Sequence, residues 1–543
     1  MAQTPNNRIN WRALWGRAWV RWILGYLLVL ACGVGLVYYW RVAYGFSALG
    51  PGAATAVVCV AFSAVYWAVF LCAHFVRQKL WLKAACLVVL GGLCFGAANP
   101  PLQAPDEMGH YLRAYALGSG HFTFRQDEDF PADVDALCEA FPGFYNRELI
   151  EPGLATMAEG FTRYENLKAS GAAAPASTLV QQFFGYIPQA AGVAAGRLFG
   201  ADALWCMYLA RLANLLCYAA LCGMAVYLAG RFLPILLALM LCPVSLFMAA
   251  SCSSDGIFLG ATWLFVGACL SPAVTKKRTA ALLAGFAAMF AIKPTAVALL
   301  PLIWLRPAPP RLLGHKGRRA DHKPLAPWVG HAATAAACLA VAVALFAALS
   351  AYSEWAKDYT PVYEDSAIRP VPQLLFILQN IPRYLAVWCY SMYRDKWNLF
   401  AMGGFGWMDM TVSFVSYFSP LVLLFSAALS ALEGAREKLR TAWVMGLTAL
   451  LMYGATYTGL YLTSTPYQLP EINGVQTRYL LAAFFALLVL AAMLLGRTMA
   501  LQDLRPGKPQ KTPPAWRMMH LSFVFAVVCA VFLFQNYYIG IEG

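Results

Sequence analysis

Charge is what this chain has little of. Only 12% of its 543 residues are Asp, Glu, Lys or Arg while 61% are hydrophobic, and soluble domains carry roughly 25% charged residues. That shortage excludes a soluble globular protein. Metal-type spacing is missing too. None of the fifteen cysteines forms a CxxC pair or a Cys/His cluster, and most lie inside apolar runs, as Cys32, Cys59, Cys217 and Cys242 do. They read as small packing residues. Cys138 is the only cysteine between Asn99 and Thr178, so no disulfide framework holds that stretch. No inverted repeat is visible, so the usual sequence mark of a two-halved transporter is absent.

What is present in quantity is apolar sequence in runs of roughly 20 residues, the length that crosses a bilayer. The net charge of +14 suggests nucleic acid only until its distribution is read. From Asn99 to Thr178 there are twelve acids and five bases, a local net of −7, which leaves +21 for the remainder. The excess sits in short clusters between apolar runs, which is the positive-inside pattern and not a nucleic-acid footprint. The chain therefore reads as an all-α polytopic membrane protein with about thirteen transmembrane helices, and its partner is the lipid bilayer.

Five regions follow. Residues 1–98 hold a basic, cytoplasmic N-terminal segment and three spans, the first uncleaved. Residues 99–202 form a large, acidic first extracytoplasmic loop. Residues 203–350 form a central bundle, 351–411 a second external loop, and 412–543 a C-terminal bundle. Two stretches, Phe183 to Phe199 and Leu374 to Tyr390, are apolar enough for interfacial helices. Ser251 to Asp255 reads as a tight external turn. Between the basic runs at Lys276 to Arg278 and Arg306 to Lys323, one crossing would leave one cluster outside. A hairpin of two short helices broken at Lys293-Pro294 is expected instead. A lysine at such a break faces a cavity or an anion; the alternative is a snorkelling lysine on one tilted span.

The most informative stretch is Asn99 to His121. Pro105 suits a first helical turn, and Asp106 and Glu107 then sit where the helix dipole favours negative charge. A helix to about Leu117 would set Asp106, His110 and Arg113 on one face. The alternative reading is a well-capped surface helix with ordinary ion pairs.

Three segments resemble one family: PxxxPDExxHYxRAYxLxxG from Pro101 to Gly120, YIPQAAGVAAGRLFG leading to YLARLANLL from Tyr186 to Leu216, and NGVQTRYLLA from Asn473 to Ala482. FGWMD, from Phe405 to Asp409, and the Ser253-Ser254-Asp255 turn are weaker echoes. The resemblance is to a bacterial family of predicted membrane proteins, a domain of unknown function grouped with the GT-C glycosyltransferases. It implies a GT-C-like enzyme of the bacterial inner membrane with an extracytoplasmic active site. Such an enzyme takes a sugar from a polyisoprenyl-phosphate-type donor and passes it to an envelope glycan, lipid or protein acceptor.

Under that implication Asp106 is the expected base, or a ligand of a divalent metal such as Mg or Mn, with Glu107 as its partner. His110 would orient Asp106 or bind metal; otherwise it is a hydrogen-bonded structural histidine. Arg478 is the expected phosphate clamp, since an arginine fork matches phosphate oxygens; otherwise it anchors the interface. Arg113, Arg211 and Lys293 are further candidates for the anionic headgroup, and Asp255 is either part of the site or only a helix cap. The competing functions are a transporter or flippase of a lipid-linked glycan, a polymerase or ligase of surface polysaccharide, and a non-catalytic assembly or sensor protein.

Overall fold

A computed structural model describes residues 11–47, 49–76, 79–122, 130–141, 153–176, 182–307, 327–356, 367–402, 404–405, 410–432, 439–497 and 514–539. The acids at 127–129, the basic run from 311 to 323, the Gly406–Asp409 part of FGWMD and the C-terminal 540–543 lie outside the described residues. The chain divides into two compact units, Met1–Gln78 and Lys79–Gly543.

The first unit is a pair of helices, α1 (Trp11–Tyr44) and α2 (Pro51–Phe75). They are zipped by aromatic side chains: Trp22 lies edge-on to Tyr66 and Phe70, and Tyr26 bonds Ser63 at 2.9 Å. Trp22–Tyr44 of α1 and Pro51–His74 of α2 are long and apolar enough to cross a membrane, and the arginines of α1 lie in its first three turns and at Arg41.

The second unit is helical apart from a two-residue antiparallel ribbon pairing β1 (Gly404–Phe405) with β2 (Met410–Thr411). It begins with α3 (Leu80–Ala98), an entry loop, and α4 (Glu107–Gly118). Next come α5 (Ala132–Ala140), α6 (Leu154–Ser170), a 3₁₀ turn at Phe184–Tyr186, α7 (Ile187–Leu198) and α8 (Ala203–Leu228). At its centre stands α11 (Asp255–Cys269), buried on every side between α8 and α12 (Lys276–Ile292). It carries glycine where it meets α8: a Cβ at Gly267 would lie 2.5 Å from the Ala225 carbonyl oxygen.

Eight described helices are long and apolar enough to cross a membrane. The expected thirteen crossings included stretches that the structure shortens or interrupts. The run from Leu233 to Ala250, expected as one span, is two helices, α9 (Leu233–Met240) and α10 (Pro243–Ala249). Pro243 has no N–H to donate and disfavours helix at the residue before it. The stretch Phe183 to Phe199, expected as an interfacial helix and not among those crossings, holds α7, which packs on α8 with Gly192 so close to the Leu209 carbonyl that a Cβ would sit 2.4 Å away. The stretch Leu374 to Tyr390 breaks at Asn380 into α14 (Pro370–Gln379) and α15 (Ile381–Ala401). The remaining long helices are α13 (Pro327–Ala356), α16 (Ser413–Leu432), α17 (Leu439–Thr463), α18 (Leu481–Arg497) and α19 (Pro514–Phe534).

The chain does break at Lys293. Helix α12 ends at Ile292, and a 3₁₀ helix runs from Pro294 to Leu305. Arg306 then donates to the Thr279 hydroxyl at 2.9 Å, so the far end of the second piece lies beside the start of the first. This is a hairpin with its basic ends together. Arg231 donates to the Leu305 carbonyl at 2.9 Å, and Arg440 reaches the Trp304 carbonyl. One end of the second unit thus gathers Arg231, Arg278, Arg306 and Arg440. The opposite end gathers the entry loop, the turn before α11, Lys293 and Arg478.

Candidate functional site

The entry loop between α3 and α4 is wrapped around one guanidinium. Arg211, eight residues into α8, donates to the carbonyls of Asn99 at 2.9 Å and Pro100 at 2.8 Å. Its remaining donors meet Glu107 in a fork, Nε to Oε1 at 2.8 Å and Nη2 to Oε2 at 2.6 Å. Two backbone amides complete the carboxylate: Cys252 N–H at 3.0 Å and Ala104 N–H at 3.1 Å. Glu107 is 0% exposed and the Arg211 side chain 4%. A buried charge is tolerable when paired and hydrogen-bonded in this way. The pair ties α3, α4, α8 and the turn before α11 into one joint.

That joint leaves Asp106 outside the helix. Asp106 takes left-handed backbone angles, φ 58° and ψ 14°, and caps α4 without a side-chain hydrogen bond. The expected start at Pro105 is therefore corrected to Glu107. The cause is local. The Glu107 N–H bonds the Ala104 carbonyl at 3.0 Å while its side chain takes the Ala104 N–H, closing a turn the helix cannot continue through. Left-handed conformation is tolerated by Asp better than by most residues, and such strained positions collect at functional sites. The Asp106 carboxylate is half-buried and has no ion pair or hydrogen bond among the described residues. It acts electrostatically on His110 and Arg478.

Around it stands a second, different group. Asp255, the first residue of α11, holds an ion pair from each oxygen: Oδ1 faces the Lys293 ammonium, and Oδ2 lies 2.5 Å from Arg478 Nε. The Arg478 contact is an ion pair without the alignment of a hydrogen bond. Lys293 lies 4.0 Å over the Tyr479 ring and 5.2 Å from that of Phe258. Arg478 Nη2 donates to the Tyr479 hydroxyl at 3.1 Å. His110 Nδ1 bonds the Tyr186 hydroxyl at 2.5 Å. Burial holds His110 below the usual imidazole range, against the pull of Asp106 and Asp255. Arg478 also lines a cleft with Pro105, Phe247, Met248, Gly404 and Gln476.

The expected residues thus fall into three places. Asp106, His110, Asp255, Lys293 and Arg478 come together. Glu107 and Arg211 face one another in the joint, and no free lone pair of Glu107 is left for an acceptor or an ion. Arg113, expected on the Asp106–His110 face, turns away. Its guanidinium binds the carbonyls of Phe122 at 2.7 Å and Gln182 at 3.3 Å and the Tyr352 hydroxyl at 2.9 Å.

The adjacent carboxylates do not converge, so a metal held jointly by Asp106 and Glu107 does not fit these residues. Among the described residues no group of three or more His, Cys, Asp or Glu is arranged to hold a metal ion. Tyr186, Tyr479 and Gln476 belong to the site and were not singled out from sequence. Each lies within or beside a segment that carried the family resemblance, and nothing in spacing or charge marks a tyrosine as a histidine's partner.

Fold and site define a helical membrane protein with a buried, charge-balanced polar site at the end opposite its basic clusters. The chain belongs to the family described as predicted membrane protein, DUF2142, whose model matches residues 89–497. No curated protein and no solved structure matches the chain.

Proposed function

We propose that this protein is a GT-C-like membrane glycosyltransferase. It moves a sugar from a polyisoprenyl-phosphate-type donor to an envelope acceptor on the extracytoplasmic side. The orientation follows from the charge rule, which puts the Arg231, Arg278, Arg306 and Arg440 end in the cytoplasm and Asp106 outside. The observation that carries the reading is Asp106, a carboxylate with no protein partner among the described residues, within electrostatic reach of Arg478 in the group that Asp255 ties together with Lys293.

Each group has a task in such a transfer. Asp106 takes the proton from the acceptor hydroxyl as that oxygen bonds to the sugar's anomeric carbon. The bond between that carbon and the donor phosphate breaks, and the electron pair leaves with the lipid phosphate. Arg478 and Lys293 stabilise the departing anion in a partly buried site. His110, held by Tyr186, lies within electrostatic reach of Asp106. No step requires a metal ion.

The test is transfer from a polyprenyl-linked radiolabelled sugar by the purified full chain. Asp106→Asn should lower the rate by ~10²–10⁴-fold, the usual value of a positioned base. Full activity in that variant refutes the site. Movement of an intact lipid-linked glycan across vesicles, with no glycosidic bond formed, establishes the flippase reading instead.

A further inference from the structure

We propose that Asp255 is a specificity-determining residue of this site: by holding its carboxylate against both Lys293 and Arg478, it limits the negative charge the site accepts and so favours a singly charged phosphodiester headgroup over a diphosphate. The inference rests on the donor-site reading above and concerns the carrier's headgroup, a phosphodiester or a diphosphate.

The argument is one of charge at close quarters. Lys293 and Arg478 alone would offer two positive charges to an anion. Asp255 sits between them with one oxygen to each, and Asp106 adds a second negative charge beside Arg478. Burial pushes His110 toward its neutral form, and the charges of Lys293, Arg478, Asp255 and Asp106 sum to zero before a ligand arrives. The neighbouring ionic groups lie outside this contacting set, Arg113 as a further positive charge turned away from it. Glu107 and Arg211 neutralise each other, and the donors of Arg113 are directed at backbone carbonyls and Tyr352.

Asp255 is fixed rather than mobile. It opens α11, where the helix dipole stabilises a carboxylate, its N–H bonds Ser253 Oγ at 3.2 Å, and the residue is 5% exposed. Its charge is therefore a permanent feature of the site. A phosphodiester brings one negative charge to this neutral group, and a doubly esterified diphosphate brings two. At separations of a few ångströms, with little water between, one unmatched charge shifts affinity by about tenfold or more.

Two probes with one tail isolate this term: methyl farnesyl phosphate and methyl farnesyl diphosphate, titrated into the detergent-solubilised full chain. The wild type should bind the phosphodiester more tightly. Asp255→Asn should raise affinity for the diphosphate relative to the phosphodiester by about tenfold, and Asp255→Glu should restore the wild-type ratio. Equal binding of both probes by the wild type, or an unchanged ratio in Asp255→Asn, overturns the role of Asp255 and leaves the donor site standing. If neither probe binds the wild type, the donor site itself is wrong and this inference falls with it. Should Asp255→Asn not fold, Lys293→Gln gives the converse test. It removes one positive charge, so it must weaken the diphosphate probe by about tenfold more than the phosphodiester; equal loss overturns the proposal.

Discussion

Two neighbouring carboxylates meet opposite fates in this molecule. Glu107 is wholly buried and engaged by a guanidinium fork and two backbone amides. Asp106, one residue earlier, is half-buried, left-handed, and bonded by its side chain to nothing described. Residue type does not separate them, since both are acids in one PDE motif. What separates them is which one the fold uses as a joint. A carboxylate with four partners is already neutralised and cannot accept a proton or a ligand without losing the joint. A carboxylate with none, beside a partly exposed ammonium and an arginine fork, has its reactivity intact. The strong contacts around Glu107 are the scaffold, and Asp106 is what the scaffold presents.

The largest effect should come from breaking the joint. Arg211→Met leaves the Glu107 charge buried and unpaired and orphans two carbonyls. Removing one partner of such a pair typically costs about 3–5 kcal/mol. The variant should melt far below the wild type, or fail to give a monodisperse peak in detergent. Replacing both residues, Glu107→Met with Arg211→Met, should recover much of that loss, because apolar pairs of similar volume often match a buried ion pair. A single variant as stable as the wild type breaks the comparison outright.

Next in size is the backbone at Asp106. Asp106→Ala puts an alanine into left-handed angles, at a cost of about 1–2 kcal/mol. Asp106→Gly should be neutral or better in melting temperature, and Asp106→Asn near the wild type, because both residues tolerate that conformation. All three remove the carboxylate, so transfer should be lost alike. Parallel loss of activity with divergent stability separates what the side chain does from what the turn requires. If Asp106→Ala and Asp106→Gly melt together, the left-handed turn carries no strain.

Much of this architecture is legible before any coordinates. The hairpin at Lys293 follows from two basic runs that cannot lie on opposite sides, and Arg306 beside Thr279 is that argument in atoms. The grouping of Asp106, His110, Asp255, Lys293 and Arg478 follows from placing charges at one end of a helical bundle. The roles of Glu107, Arg211 and Arg113 were not legible, because sequence shows a charge without its partner. Arg211 sits about 100 residues from Glu107, and the carbonyls that hold Arg113 have no signature at all. The break between α9 and α10 was in principle visible at Pro243, where a long apolar run outweighed one proline.

The smallest effect is one of pH, and it tests whether the open group is as desolvated as its geometry implies. His110 is pushed below its ordinary value by burial, with Asp106, Asp255 and Glu107 pulling it up and Arg478 pushing it further down. An unfolded histidine titrates near 6.5. Above that pH both states are neutral and His110 brings no pH dependence. As pH falls below it, the unfolded chain takes up a proton that the folded chain refuses, so stability declines until pH passes the lowered folded value. The loss is bounded by about 1.4 kcal/mol for each unit of separation between the two values. Melting of the wild type and of His110→Asn should be compared from pH 7.5 to pH 5. Other titrating groups are common to both proteins and cancel, so the difference should be flat above roughly pH 6.5 and should narrow in the variant's favour below it. Tyr186→Phe should make the wild-type slope shallower, because a hydroxyl donated to the neutral imidazole favours that form, and its loss moves the folded value back toward the unfolded one. A difference that widens in the opposite sense as pH falls would mean that His110 is protonated in the folded site. Its charge would then add to Lys293 and Arg478, and the balance on which Asp255 acts would no longer be neutral.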